Sequence, residues 1–112
     1  MSEDTSHLAA EMNRGFLQVL VLVALEKSMY GYRMIKTFEE KGYQVEENTL
    51  YPLLRRLEKN GLIKSEWDVS EGRPKKFYTI TPEGRGIRLE LLRIWGEQNE
   101  ILEELKKEIE NV

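Results

Sequence analysis

Apolar positions along the chain fall into two periods, and the switch between them divides it into elements. From Leu8 to Lys27 they recur at helical spacing on two stripes. Met12, Phe16, Val19, Leu20 and Val23 form one stripe, and Leu17, Val21, Ala24 and Leu25 form the other. A helix apolar over most of its girth needs cover on two sides. Tyr30-Gly31-Tyr32 reads as a turn into a second helix, with Met34, Ile35 and Phe38 facing inward and a glycine stop at Lys41-Gly42. A short connection leads to a third helix, where Leu50, Leu53, Leu54 and Leu57 occupy one face. Asn48 is its expected N-cap and Gly61 its stop.

After Gly61 the period becomes two. Leu62 to Trp67 and Lys75 to Thr81 read as strands around the polar loop Asp68 to Pro74. Thr81-Pro82-Glu83 then opens a last helix running to about Asn111, with a capping hydroxyl, proline at the first position and an early carboxylate. Ile87, Leu91, Ile94, Ile101 and Leu105 keep heptad spacing on it, interrupted by Gln98; Leu92, Trp95 and Leu102 flank that seam. The predicted class is α+β, mainly α: a winged helix-turn-helix over residues 1–81 and a long C-terminal dimerisation helix over 82–112.

Charge changes the picture when it is divided by region. The net charge of −3 argues against a polyanionic partner, yet residues 48–81 hold 7 Lys and Arg against 4 Asp and Glu. The flanking segments, 1–47 and 82–112, each hold 5 against 8. Affinity for DNA follows the phosphates neutralised locally, and the only basic third contains the third helix and the hairpin. The absence of cysteine removes disulfides, thiol catalysis and thiolate zinc sites. The single histidine, His7, sits in a polar N-terminal segment without a second metal ligand beside it. No metal site, cofactor motif or catalytic residue is expected, and an enzyme is not expected. Leu17 to Leu25 is about half the ~20 residues a membrane span needs, and Met1 to Asn13 is acidic, unlike a secretory signal. The expectation is a cytoplasmic protein.

The third helix turns Asn48, Pro52, Arg55 and Lys59 away from its leucines, with Tyr51 and Arg56 on the shoulders. Arg and Asn can pair with base edges, and Tyr and Lys can reach phosphates. Taken alone, such a helix is more often an ordinary surface helix with solvated charges. Pro52 breaks a local rule, because proline belongs in a first turn, so the helix is expected to start close to Asn48. A hairpin after a helix-turn-helix, with Arg73, Lys75 and Lys76 at or beside its tip, has the form of a wing. The first and last helices carry more apolar surface than a small domain can cover, which predicts a homodimer through Phe16, Val19, Leu20, Leu91, Ile94, Gln98, Ile101 and Leu105.

Several blocks of sequence resemble the PadR family of transcriptional regulators. They are Leu20 to Leu25, Tyr30-Gly31-Tyr32, Thr49-Leu-Tyr-Pro-Leu-Leu-Arg-Arg-Leu-Glu58, Gly61-Leu-Ile63, Gly72-Arg-Pro-Lys-Lys-Phe-Tyr78 and Ile80-Thr-Pro-Glu-Gly84. The resemblance implies a winged-helix dimer that represses transcription at a double-stranded DNA operator and is released by a small ligand or stress signal. It implies DNA contacts from Asn48, Thr49, Tyr51 and Arg55 on the helix and from Arg73, Lys75 and Lys76 in the wing. Tyr32, Pro52, Arg56 and Lys59 complete the candidate DNA-binding set. The short C-terminal helix is similar to that of multidrug-sensing members, which implies a ligand pocket lined by Trp95 at the dimer interface; a planar, apolar effector there and plain packing of Trp95 in the dimer are the two readings. Gly96, costly inside a helix by roughly 1 kcal/mol relative to Ala, would leave space there. The rival function is a winged-helix protein–protein interaction module without DNA binding; salt-dependent affinity for duplex DNA separates the two.

Overall fold

The computed structural model describes residues 3–110. Four helices and a three-stranded antiparallel sheet follow in the order α1 (Glu3–Ala24), β1 (Met29–Tyr30), α2 (Gly31–Glu40), α3 (Glu47–Lys59), β2 (Ile63–Asp68), β3 (Lys75–Ile80) and α4 (Pro82–Glu110). This is the predicted winged helix-turn-helix with a long terminal helix. The end of the last predicted helix at Asn111 lies outside the described residues.

Of the two α1 stripes, Leu17, Val21 and Leu25 enter the core together with Leu22, while Met12, Phe16 and Val23 stay exposed. The helix starts at Glu3 rather than Leu8 and ends at Ala24 rather than Lys27. Its end is diverted by the sheet: the Leu25 carbonyl accepts hydrogen bonds from Ile80 N–H (3.0 Å) and Thr79 Oγ1 (3.4 Å). The turn read at Tyr30 is a short strand in part. Met29 pairs with Tyr78 and Tyr30 with Phe77, so β3 is the central strand, between β1 and β2. Two residues are too few to show a period of two, which hid β1 in the sequence.

Met34 and Phe38 of α2 and all four predicted α3 leucines complete the core with Ile63, Tyr78 and Ile80. Both glycine stops hold. Gly42 and Gly61 have φ of 89° and 76°, and the following amides bond back to the Phe38 and Leu57 carbonyls. At the start of α3 the expectation needs correction. The helix begins at Glu47, Asn48 lies inside its first turn, and no side chain caps it. Instead the Glu46 carbonyl receives the Thr49 and Leu50 amides at 3.0 and 2.9 Å. Pro52 consequently sits in the helix interior, where its missing N–H leaves the Asn48 carbonyl without the usual i→i−4 donor.

The α4 cap forms as predicted: Thr81 Oγ1 accepts from Gly84 N–H (3.0 Å) and donates to the Gly61 carbonyl (2.6 Å). Glu26, just beyond α1, is clasped by Arg85 (3.2 Å) and Arg88 (2.8 Å) of α4. Only Gly84 of α4 is buried. From residue 97 to 110 every residue is exposed, and the radius of gyration is 16.9 Å, against about 13 Å for a compact chain of this length.

Candidate nucleic-acid interface

Packing of the α3 leucines decides which α3 side chains remain free. Asn48, Pro52, Arg55 and Lys59 are exposed along the opposite face, and Thr49 and Arg56 are exposed at its sides. Tyr51 is different, being half-buried with its ring against Gly31 at the start of α2. A Cβ on Gly31 would come within 2.6 Å of that ring, so any side chain there would force Tyr51 to move. Burial, followed by the nearby Glu47 carboxylate, raises the Tyr51 pKa above its ordinary value. Tyr32 is 50 % exposed on α2, with Lys36 Nζ 5.4 Å from its ring. Together with Asn48 and Val45 it lines a shallow hollow where α2 meets the start of α3.

The wing tip is shaped locally. Asp68 accepts from the Ser70 N–H (2.9 Å) and hydroxyl (2.7 Å), and these bonds, with Lys75 adding, hold its carboxyl below the usual range. Gly72, at φ 80°, completes the turn and leaves Arg73 exposed. Lys75 and Lys76 lie beside the tip but are half-buried rather than free. Lys75 Nζ sits 4.8 Å from the Tyr30 ring centroid. Lys76 Nζ lies 3.8 Å from Glu58 Oε1 on α3 and 5.7 Å from the Tyr78 ring, while Ser65 donates to the other Glu58 oxygen. Glu58 thus joins α3 to both wing strands. The sequence pattern signalled none of this, because the three partners lie on three different elements.

The candidate dimer residues divide in two. Leu20 and Leu91 are partly packed against the core of their own chain. Phe16, which makes an edge contact with Tyr43 (5.3 Å), lines a groove of about 550 Å³ between α1 and α4 with Val19, Ile94, Trp95 and Gln98. Ile101 and Leu105 lie farther out on α4, 59 % and 52 % exposed. Trp95 is 51 % exposed, and a Cβ on Gly96 would meet nothing within 4 Å. Among the described residues no cluster of His, Cys, Asp or Glu could hold a metal ion, and no helix is long and apolar enough to cross a membrane.

Comparison with known proteins agrees with this architecture. The sequence model of the transcriptional regulator PadR-like family matches residues 19–89. A PadR family transcriptional regulator from Eggerthella lenta is 39% identical, with a TM-score of 0.84 over 92% of each chain. A transcriptional regulator from Clostridium thermocellum is 33% identical, with a TM-score of 0.79 over 84% of this chain and 96% of that one. A transcriptional regulator of Mycobacterium tuberculosis is 37% identical over 77% of this chain and 74% of its own. The chain belongs to the PadR-like family of transcriptional regulators, and its role is in transcription regulation rather than catalysis.

Proposed function

We propose that this chain is a cytoplasmic homodimeric repressor that binds a two-fold-symmetric DNA operator and is released by a small ligand. Residues 1–81 serve as the reading domain and 82–112 as the dimerisation helix. The observation that carries the reading is the exposed face of α3, where Asn48, Thr49 and Arg55 stand free beside Arg56 and Lys59, with Arg73 likewise exposed on the wing. Asn48 and Arg55 would make paired hydrogen bonds to base edges, and the remaining cations would neutralise phosphates. Tyr32 and Pro52 would border the same groove. A dimer would place two such faces on successive half-sites. The effector would be a planar, apolar molecule against Trp95 in the α1–α4 groove, completed by the second copy.

Fluorescence anisotropy with the labelled duplex upstream of the protein's own gene, at two salt concentrations, tests the reading. The expected result is binding that weakens steeply with salt and is relieved by planar aromatic dyes. Salt-independent or absent affinity for every duplex would instead point to a protein-binding module.

A further inference from the structure

The register of the hairpin places Ile63, Ser65 and Trp67 opposite Ile80, Tyr78 and Lys76. Alternate residues share one face of a sheet, so these six form two rows on the side that covers α3. The rows begin in the core at Ile63 and Ile80, which are 1 % and 3 % exposed, and end outside it at Trp67, 65 % exposed. The chain's own packing leaves most of that indole uncovered. It borders a cleft between α3 and the wing, of about 270 Å³, whose lining includes Tyr51, Pro74, Lys75 and Lys76. Lys76 Nζ is 5.9 Å from the Trp67 ring centroid.

A helix in a major groove and a hairpin at the flanking minor groove are separated by one sugar–phosphate strand. That strand is anionic at each phosphate and apolar at each deoxyribose face. The cleft matches this alternation, with the Lys76 ammonium beside the Trp67 indole and a proline ring in the same lining. We infer that this cleft seats the DNA strand passing between α3 and the wing, with Trp67 packed on a deoxyribose and Lys76 donating to the adjoining phosphate. Lys76 has three donors, so it can bond a phosphate while keeping Glu58. This inference rests on the DNA-binding reading above and adds to it a residue, Trp67, that acts through apolar contact rather than charge.

The two contacts have different salt signatures. An apolar contact releases no counterions, whereas loss of one phosphate contact lowers the salt slope by about 0.9. In the full-length protein, Trp67→Ala should weaken binding about tenfold to the upstream duplex and to a mixed-sequence duplex alike, with an unchanged slope. Lys76→Ala should flatten the slope, and Trp67→Phe should restore most of the affinity. Titrating wild type with either duplex should shift tryptophan emission, and Trp67→Phe should lack that change while still binding. Wild-type affinity in Trp67→Ala, or bound wild type with the same emission change as Trp67→Phe, would overturn the assignment. If wild type bound neither duplex, the DNA-binding reading itself would fail and take the cleft with it.

Discussion

Arg55 and Tyr51 are four positions apart on one helix and have different surroundings. Arg55 is exposed, and Arg55→Ala should cost roughly 1–3 kcal/mol and relax preference at one base pair. Anisotropy against single-base-pair variants of the bound duplex reads this directly. Tyr51 is engaged with Gly31, so its contribution is mixed with stability. Gly31→Ala should destabilise the fold by about 1–3 kcal/mol in urea unfolding, and by less in a Tyr51→Ala background. Gly84→Ala should cost more, because the new Cβ would fall on the Leu62 carbonyl oxygen, and backbone cannot swing aside as a tyrosine can. Gly31 read as a turn glycine in the sequence; that a tyrosine twenty positions later needs its missing side chain was not legible from local spacing.

The elements were legible wherever local chemistry closes them. The leucine face of α3, both glycine stops and the Thr81 cap follow from residues within one or two turns of each other. Thr81→Ala should lower stability by about 1 kcal/mol, measured by urea unfolding. Pro52→Ala should raise it, by up to about 3 kcal/mol, because alanine supplies the amide that the Asn48 carbonyl lacks. The α1–α4 connection was not foreseen, since Glu26, Arg85 and Arg88 meet only after folding. Hydrogen bonds from Arg85, then Arg88, lower the Glu26 pKa from its ordinary 4.5. The folded form therefore holds its proton less tightly than the unfolded one. The resulting stability is present above pH 4.5 and is lost as the pH falls through the lower folded-state value. Thermal melts of Glu26→Gln and wild type should differ at neutral pH and converge in acid.

The long axis of the molecule comes from α4, about 44 Å at 1.5 Å per residue, along which Leu92, Ile101, Leu102, Leu105 and Ile109 are all more than two-fifths exposed. A second copy laid along α1 and α4 would cover this surface. Leu105→Glu should then yield a folded monomer in analytical ultracentrifugation, with affinity for a two-fold site greatly reduced. The same variant should keep the tertiary signature of the winged part, because Leu105 takes no part in its core.

Periodicity, caps and charge distribution specified by themselves the helices, the hairpin, the inward leucines and the basic middle third, because each depends on residues near one another along the chain. Tertiary structure alone decided that Tyr51 leans on Gly31, that Lys76 is tied to Glu58, and that Trp67 ends outside the core over a cleft. Those facts arise where strands and helices distant in sequence converge. A one-dimensional pattern states which face a residue occupies, and the docking of elements selects what stands opposite it.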